Sequence, residues 1–201
     1  MSSELKIRLA TPEDAAAIRD IYAPYVLETA VTFEITPPSV EEMRQRIVEK
    51  SVSYPYLVAE DEQGEIFGFS YASAFRPRAA YIHSVESSIY CRKDFKGKGL
   101  GRRLYEALFK ILEAQNIFNV LACVAYIEPE DEYVPKTSKI FHEKLGFKQI
   151  ACFSKCGHKF GNWYDMIWLE RFLKEHVSNP DPFIPLPELD PAIINAVLEK
   201  A

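Results

Sequence analysis

The chain has 201 residues, of which 48% are hydrophobic and 26% are charged, and its formal net charge is −5. This length suits one domain with a substantial core, and the acidic balance argues against a general nucleic-acid-binding protein. No apolar run approaches the length of a membrane span, and the first ten residues lack the apolar core of a signal peptide. We therefore expect a cytoplasmic protein with neither nucleic acid nor membrane as a partner.

The first half of the chain predicts two helices followed by three strands. Residues 5–10 alternate as an opening strand, and Thr11 then begins a helix as its N-cap. Ser39 and Glu42 have the spacing of a capping box, which predicts a second helix through about residue 50. The following strands, the first two in a hairpin, are predicted at residues 56–60, 65–73 and 81–91.

The second half predicts two helices and three strands before a proline-rich end. Helices are predicted at residues 100–115 and 136–145, the latter ended by Gly146 as a C-cap signal. Strands are predicted at residues 118–124, 148–155 and 163–171. Five prolines between residues 179 and 191 predict an extended tail, with a short amphipathic helix at 192–200. We expect one domain over residues 1–173 and a separate tail over 174–201.

The run Lys96-Gly97-Lys98-Gly99-Leu100-Gly101-Arg102 joins the strand at 81–91 to the helix at 100–115. Alternate glycines allow a tight turn and close approach of a ligand. The helix N-terminus aims unpaired N–H groups and a positive dipole end at that ligand, an arrangement that suits a pyrophosphate. The spacing excludes a Walker-type phosphate loop and a dinucleotide fingerprint. A solvated basic turn that only caps the helix is the alternative.

Cysteine spacing gives little support to a metal site. Cys152 and Cys156 are close to His158, yet the second ligand pair of a zinc knuckle is missing. We expect no metal.

Eight short segments occur in an order typical of one enzyme family: residues 21–26, 32–34, 37–43, 54–60, 74–78, 85–86, 142–147 and 159–165. Together with the glycine run, they resemble the GNAT superfamily of N-acetyltransferases, and in particular its phosphinothricin and methionine sulfoximine acetyltransferase group. The resemblance covers about residues 5–173. It implies an α/β (α+β) fold with a central mixed, mostly antiparallel twisted sheet flanked by helices.

The resemblance also implies the reaction. It predicts an acetyl-CoA-dependent enzyme that acetylates the α-amino group of a small amino acid or analogue, such as phosphinothricin, methionine sulfoximine or methionine sulfone. Relatives of this kind are generally homodimers, so a homodimer is expected. Direct attack within a ternary complex is the simpler expectation, with an acyl-enzyme at Cys91 as the alternative.

Main-chain groups carry most of the implied cofactor site. Those of Ile89, Tyr90 and Cys91 would pair with the pantetheine arm, and one amide would polarise the thioester carbonyl. The amides of residues 97–102 would hold the pyrophosphate. The full predicted cofactor set is Ile89, Tyr90, Cys91, Lys96, Gly97, Lys98, Gly99, Leu100, Gly101, Arg102 and Ser138.

Two side chains are the predicted catalytic groups. Acyl transfer to nitrogen requires a neutral amine, and a desolvated carboxylate such as Glu86 has a raised pKa and can act as the base. The resemblance implies that His142 protonates the departing thiolate, or shares an acid/base role with Glu86, and an imidazole can donate a proton near neutral pH. The alternatives are a core carboxylate paired with Arg76 or Arg78, and a structural histidine.

The acceptor is predicted to bind Phe75, Arg76, Arg78 and Val85. A guanidinium matches the carboxylate of an amino acid in bidentate geometry, although a surface Arg-Pro turn would look the same. Aromatic residues that wall the pocket, or else belong to the core, are Tyr25, Phe33, Tyr81 and Trp163.

Two features depart from the family pattern. Pro135 replaces the asparagine that usually helps to hold CoA, and the preceding loop is long and acidic. Acidic groups there would favour a cationic acceptor, such as a polyamine or a protein amine. A module that senses acyl-CoA without turnover is the alternative outside the enzyme class.

Overall fold

The computed structural model describes residues 5–95 and 97–201. Within these residues, seven strands form one sheet in the order β1-β2-β3-β4-β5-β7-β6. The strands are β1 (Lys6–Leu9), β2 (Tyr56–Glu60), β3 (Ile66–Ala74), β4 (Ser84–Cys91), β5 (Asn119–Tyr126), β6 (Lys148–Lys159) and β7 (Asn162–Phe172). The helices are α1 (Ala15–Glu28), α2 (Val40–Ser51), α3 (Leu100–Ala114), α4 (Thr137–Lys144) and α5 (Pro191–Leu198). The predicted mixed, mostly antiparallel sheet with flanking helices is confirmed.

Local capping explains where the helices begin and end. The Ser39 hydroxyl accepts from the Glu42 amide (3.2 Å), and the Glu42 carboxylate accepts from the Ser39 amide (2.7 Å), so α2 begins with the predicted capping box. A 3-10 turn over Pro12–Asp14 precedes α1, which therefore begins three residues later than the sequence predicts. Gly146, with φ of 87°, ends α4 as expected.

The centre of the sheet contains a fork between β4 and β5. These two strands are parallel and pair only at Ser84–Asn119, Val85–Val120 and Glu86–Leu121. Beyond Glu86 they separate, while β3 continues to pair with β4 and β7 with β5. The predicted strand at 81–91 was too long at its start, because residues Ala79–Tyr81 form a 3-10 turn and β4 begins at Ser84. The fork leaves one edge of β4 open within the molecule.

Helices cover the two faces of the sheet with different partners. On one face, here called the α1–α2 face, a core cluster includes Ile18, Tyr22, Met43, Ile47, Tyr56 and Phe69. On the other, the α3 face, the main core includes Val85, Leu104, Tyr105, Leu108, Ile167 and Leu169. Because strand side chains alternate, neighbouring residues of β4 face different helices.

The proline-rich tail packs on the domain. Leu186, Leu189 and Ile194 are buried in the main core, and the predicted short helix is α5. The Gln115 side-chain amide donates to the carbonyl oxygens of Ser53 (2.8 Å) and Ile184 (2.9 Å). These two bonds tie the tail to the end of α3 and to the segment after α2. The tail thus completes one wall of the core.

None of the helices in residues 5–95 and 97–201 combines the length and apolarity that a bilayer crossing requires.

Candidate active site

The glycine turn places an uncapped helix N-terminus beside the fork. Gly97 (φ 80°) and Gly99 (φ 81°) both adopt the left-handed backbone region, which favours glycine. Gly99 is the N-cap of α3 and has no side chain to accept from the first-turn amides. Those amides lack intrahelical partners and lie at the positive end of the helix dipole. The turn therefore fits an anionic group such as a diphosphate.

The missing side chain of Gly101 serves helix packing, while the predicted contact of its amide with the cofactor stays a prediction. A Cβ built on it would lie 3.2 Å from two ring atoms of Phe141 and 3.6 Å from Ile89. This glycine allows α4 to approach α3, whereas the prediction was that it leaves room for a ligand. The correction follows from long-range packing, which the spacing of the glycines does not reveal.

The basic residues of the turn point in different directions. The Lys98 ammonium lies over the Phe95 ring at 4.1 Å from its centroid, and the exposed Arg102 pairs with Glu106 at 3.2 Å. Arg103 instead donates to the carbonyl oxygens of Ala201 and Leu5 (both 2.6 Å), far along the chain. Lys96 lies outside the described residues. Leu100 is buried, so only its amide is available to a ligand.

The predicted pantetheine-binding residues lie on the separated part of β4. Ile89, Tyr90 and Cys91 pair with β3 and have no β5 partner in the described ladder. The Tyr25 hydroxyl donates to the Cys91 carbonyl, so that main-chain acceptor already has a protein donor. The Tyr90 ring turns to the α1–α2 face, where it meets Tyr22 and Tyr25.

Glu86 is half-buried on the α1–α2 face at the start of the fork. Burial raises the pKa of its carboxyl above the usual value, and the charges of Arg76 and Lys50 oppose that rise. Among the residues that the structure describes, no hydrogen bond or ion pair occupies this carboxylate, so the alternative of a core pair with Arg76 or Arg78 is not seen. The carboxylate has the environment of a base.

Arg76 is held near this carboxylate by an aromatic platform. Its guanidinium lies 4.3 Å from the Phe75 ring centroid and 5.5 Å from that of Trp168, and it donates to the Phe75 carbonyl (2.8 Å). Phe75 also meets Tyr81 edge-on. Arg78 is exposed at the 3-10 turn and makes no comparable side-chain contact among the described residues.

Val85 is not part of this surface. Its side chain is fully buried in the main core on the α3 face, opposite Glu86. The prediction that Val85 contacts the acceptor is therefore wrong for its side chain, because adjacent strand residues face opposite sides of a sheet.

His142 also lies on the α3 face, buried at 4% exposure among Tyr105, Phe141 and Phe147. Its Nδ1 is 2.8 Å from the Ser138 carbonyl oxygen, and its Nε2 is 3.2 Å from the Tyr105 hydroxyl. Burial lowers the pKa of His142 and outweighs the bond to Ser138, so the neutral ring is favoured. The structure places His142 and Glu86 on opposite faces of the sheet, and donation of a proton by His142 to the departing thiolate stays a prediction.

Ser138 serves this histidine through its carbonyl oxygen. Its predicted contact with the cofactor stays a prediction. From His142 a chain of polar contacts runs through Tyr105 to the Ser87 hydroxyl (3.3 Å), whose oxygen also lies 3.2 Å from the Leu121 carbonyl oxygen; the single Ser87 proton can be donated to only one of these two acceptors at a time. The chain therefore connects α4 to the start of the fork.

The acidic loop is bound to its own surroundings. Glu128 pairs with Lys136 (2.8 Å), Glu130 accepts from the Lys136 amide (2.7 Å), and Asp131 accepts from the Tyr164 hydroxyl (2.8 Å). Asp131 also accepts from the amides of residues 133 and 134. These bonds occupy Glu128, Glu130 and Asp131, whereas Glu132 is exposed, so the cationic acceptor stays an alternative with less support.

The other predicted wall residues divide into two groups. Phe33 packs on Gly157, where a Cβ would lie 2.4 Å from the ring, and it belongs to the segment after α1. Trp163 is 58% exposed and contacts His158, away from Glu86. Trp163 is therefore not a pocket residue in this structure.

Sequence reasoning missed Lys50 and Trp168, and each left a signal. Lys50 follows Met43 and Ile47 at helical spacing, so a cation sits on the apolar face of α2. Trp168 lies between the buried Ile167 and Leu169 of β7, and alternation therefore sends it to the α1–α2 face. Neither the helical spacing of Lys50 nor the strand alternation around Trp168 predicts that these residues lie on the same face as Glu86.

The sequence matches known acetyltransferases. Residues 7–168 match the family described as the acetyltransferase (GNAT) domain. The phosphinothricin N-acetyltransferase of Streptomyces coelicolor is 31% identical over 173 residues, 85% of this chain and 97% of that protein. The L-methionine sulfoximine/L-methionine sulfone acetyltransferase of Pseudomonas aeruginosa is 31% identical over 175 residues, 87% of this chain and 98% of that protein.

A solved structure is similar in both fold and sequence. The phosphinothricin acetyltransferase from Sinorhizobium meliloti in complex with acetyl-CoA gives a TM-score of 0.80 at 33% identity and covers 94% of this chain and 100% of its own. The resemblance inferred from short segments is thereby confirmed.

Proposed function

The chain belongs to the GNAT acetyltransferase family and is an acetyl-CoA-dependent acetyltransferase, and we propose that its acceptor is the α-amino group of a small amino acid or amino-acid analogue. The names of the two relatives, which specify phosphinothricin and methionine sulfoximine or sulfone, support this substrate class.

One observation carries the proposal: Glu86 and Arg76 belong to the same face, and neither is consumed by an ion pair with the other among the described residues. An amino acid presents an ammonium and a carboxylate on one carbon. A carboxylate base and a guanidinium in one site match those two groups.

The cofactor site is proposed at the fork and the glycine turn. The open edge of β4 at Ile89 and Tyr90, and the uncapped amides at the start of α3, are main-chain groups that fit a pantetheine arm and a diphosphate. Bound there, acetyl-CoA supplies the activated acetyl group as a thioester.

The protein's own steps concern protons and orientation. Glu86 removes the proton of the acceptor ammonium, directly or through a water, which produces the nucleophilic amine. Arg76, held by Phe75 and Trp168, orients the acceptor carboxylate. His142 is proposed as a positioning residue, which fixes the Tyr105 hydroxyl and through it Ser87 at the fork. The neutral amine then attacks the thioester carbonyl directly within a ternary complex: the C–N bond forms, the C–S bond breaks, CoA leaves as a thiolate, and the proton lost from the amide nitrogen balances the charge of that thiolate.

A substrate panel tests this function. The purified chain is incubated with acetyl-CoA and phosphinothricin, methionine sulfone, spermidine or a peptide, and CoA release is measured. We expect turnover with the amino-acid analogues. Turnover confined to spermidine or peptides would overturn the acceptor class, and saturable acetyl-CoA binding without turnover would favour the sensing module.

The homodimer stays a prediction from the resemblance, and the cytoplasmic location stays a prediction from the sequence. Analytical ultracentrifugation of the purified chain tests the first, with a monomer at micromolar concentration as the contrary result.

A further inference from the structure

Besides Arg76, three cations lie around the acceptor face, and two of these three have protein partners. Arg46 pairs with Glu34, with Nη1 2.8 Å from Oε1 and Nη2 3.3 Å from Oε2. Lys159 is buried, and its ammonium donates to the carbonyl oxygens of Thr32 (2.9 Å) and Glu34 (2.8 Å). Neither group is available to a substrate without breaking these bonds.

Lys50 is different. It lies on the last turn of α2, half-buried, with its ammonium 5.2 Å from the centroid of the Tyr71 ring. Among the residues that the structure describes, this ammonium makes no hydrogen bond or ion pair. Burial lowers the pKa of Lys50, because the ammonium loses hydration that no protein acceptor replaces, and Arg46 adds to the effect. An anion bound beside the Lys50 ammonium would compensate the free energy lost when burial removes its hydration.

The position of Lys50 connects it to Glu86. Tyr71 pairs with Ser88 across β3 and β4, two residues from Glu86 on the same face. Lys50, Arg46, Tyr22, Tyr56, Tyr71 and Tyr90 are among the residues that line a cavity of about 10 Å³. That volume holds no more than one water, so a side-chain oxyanion would have to meet the Lys50 ammonium outside this cavity.

From this arrangement we infer that Lys50 is a specificity-determining residue, and that the acceptor is an amino acid whose side chain carries an oxyanion. This inference rests on the proposed function and narrows its substrate class. Glu86 takes the acceptor ammonium and Arg76 the α-carboxylate. The remaining unpaired cation is Lys50, and a phosphinate or carboxylate on the acceptor side chain matches it in charge.

Two acceptors of different charge test the assignment. Phosphinothricin carries a side-chain phosphinate, whereas methionine sulfone has a neutral side chain with similar oxygen placement. In Lys50→Met, kcat/KM for phosphinothricin should fall about 10- to 100-fold, mainly through KM, as expected when a charged hydrogen-bond partner is lost. For methionine sulfone it should change less than about twofold, and Lys50→Arg should retain most of the phosphinothricin activity.

Arg44→Met is the matched control, because it removes a cation from the same helix where Arg44 contacts the exposed Glu13 and Glu41. It should leave both acceptors unaffected. An equal loss of kcat/KM for both acceptors in Lys50→Met, or no loss for either, would overturn the inference about Lys50. The proposed function would still stand if the wild type turned over methionine sulfone. Failure of the wild type on both acceptors would overturn the two together.

Discussion

The Ser87 hydroxyl oxygen lies 3.2 Å from the Leu121 carbonyl oxygen, within hydrogen-bonding distance, at the position where β4 and β5 stop pairing. Leu121 is the register partner of Glu86, so the bond links the start of the fork to the residue next to the proposed base. Because Ser87 also contacts Tyr105, and Tyr105 contacts His142, one polar chain within the main core fixes the geometry of both strands.

Replacing Glu86 by Gln should abolish most turnover without harming the fold. We expect kcat to fall by about 10²- to 10⁴-fold, the usual contribution of a general base. Wild-type kcat/KM should rise with pH as Glu86 loses its proton, at a pH above the ordinary range of a glutamate because burial raises its pKa. The variant should lose this limb of the pH profile, and an unchanged profile would exclude Glu86 as the base.

The same substitution should not lower stability. A carboxyl with a raised folded pKa releases its proton more readily in the unfolded chain, so its ionisation at neutral pH disfavours the folded state. We expect the Tm of Glu86→Gln at pH 7 to equal or exceed that of the wild type. A clear decrease in Tm would mean that the carboxylate has a structural partner.

The two kinds of glycine in the turn should respond differently to alanine. Gly99→Ala places a side chain in the left-handed backbone region, which should lower the free energy of unfolding by about 1–2 kcal/mol and Tm by roughly 2–8 °C. It should also weaken acetyl-CoA binding, as measured by calorimetry. Gly101→Ala should destabilise through contact with the Phe141 ring. Adding Phe141→Leu should restore the stability of Gly101→Ala but not that of Gly99→Ala. If Phe141→Leu also rescued Gly99→Ala, the different reasons given for these two glycines would be contradicted.

Tyr105 and His142 should behave as one unit. Tyr105→Phe leaves His142 without its hydroxyl partner, at about 1–3 kcal/mol of unfolding free energy. If His142 acts by positioning Tyr105, His142→Phe and Tyr105→Phe should lower kcat by similar factors, and the double variant should lose little more. Multiplicative losses would indicate independent functions and revive direct proton donation by His142.

His142 should also contribute a pH dependence of stability. Burial lowers the pKa of His142 in the folded chain, so the fold favours the neutral ring. The stability that depends on the neutral ring is fully present above the pKa of the unfolded chain. It is lost as the pH falls below that pKa, because the unfolded chain then binds a proton more readily. Urea unfolding between pH 7.5 and 5 should show a smaller decline in His142→Phe than in the wild type. Parallel declines would show that the ring is protonated within the fold.

The tail should stabilise the domain through buried apolar side chains. Leu186→Ala should cost about 2–4 kcal/mol, since Leu186 is 8% exposed in the main core. Glu188→Ala, two residues away and exposed, should stay within about 0.5 kcal/mol. Equal midpoints of urea unfolding for both variants would show that the tail does not share the core.

Local chemistry accounts for what could be predicted from the sequence. The Ser39 capping box, the turn at Gly146 and the alternation in the hairpin strands each depend on residues close in the chain. The resemblance added the sheet type and the position of Glu86. Boundaries failed where a 3-10 turn preceded a regular element, as at Pro12 and Ala79.

Contacts between distant segments account for the rest. The role of His142 was predicted from the resemblance, but its burial depends on Tyr105, from α3, and on Phe147, which precedes β6. The carboxylates of the acidic loop were predicted to face a substrate, yet Tyr164 and Lys136 bind two of them. The proximity of Lys50 to Glu86 requires the order of β2, β3 and β4, which no spacing in the sequence encodes.

The short pairing of β4 with β5 has a mechanical consequence. Each half of the sheet is a continuous ladder, but the two ladders are joined by three residue pairs and by the helices packed across them. Of the neighbouring strands in the described residues, β4 and β5 share the fewest paired residues, so this seam is where main-chain hydrogen bonds hold the sheet together least.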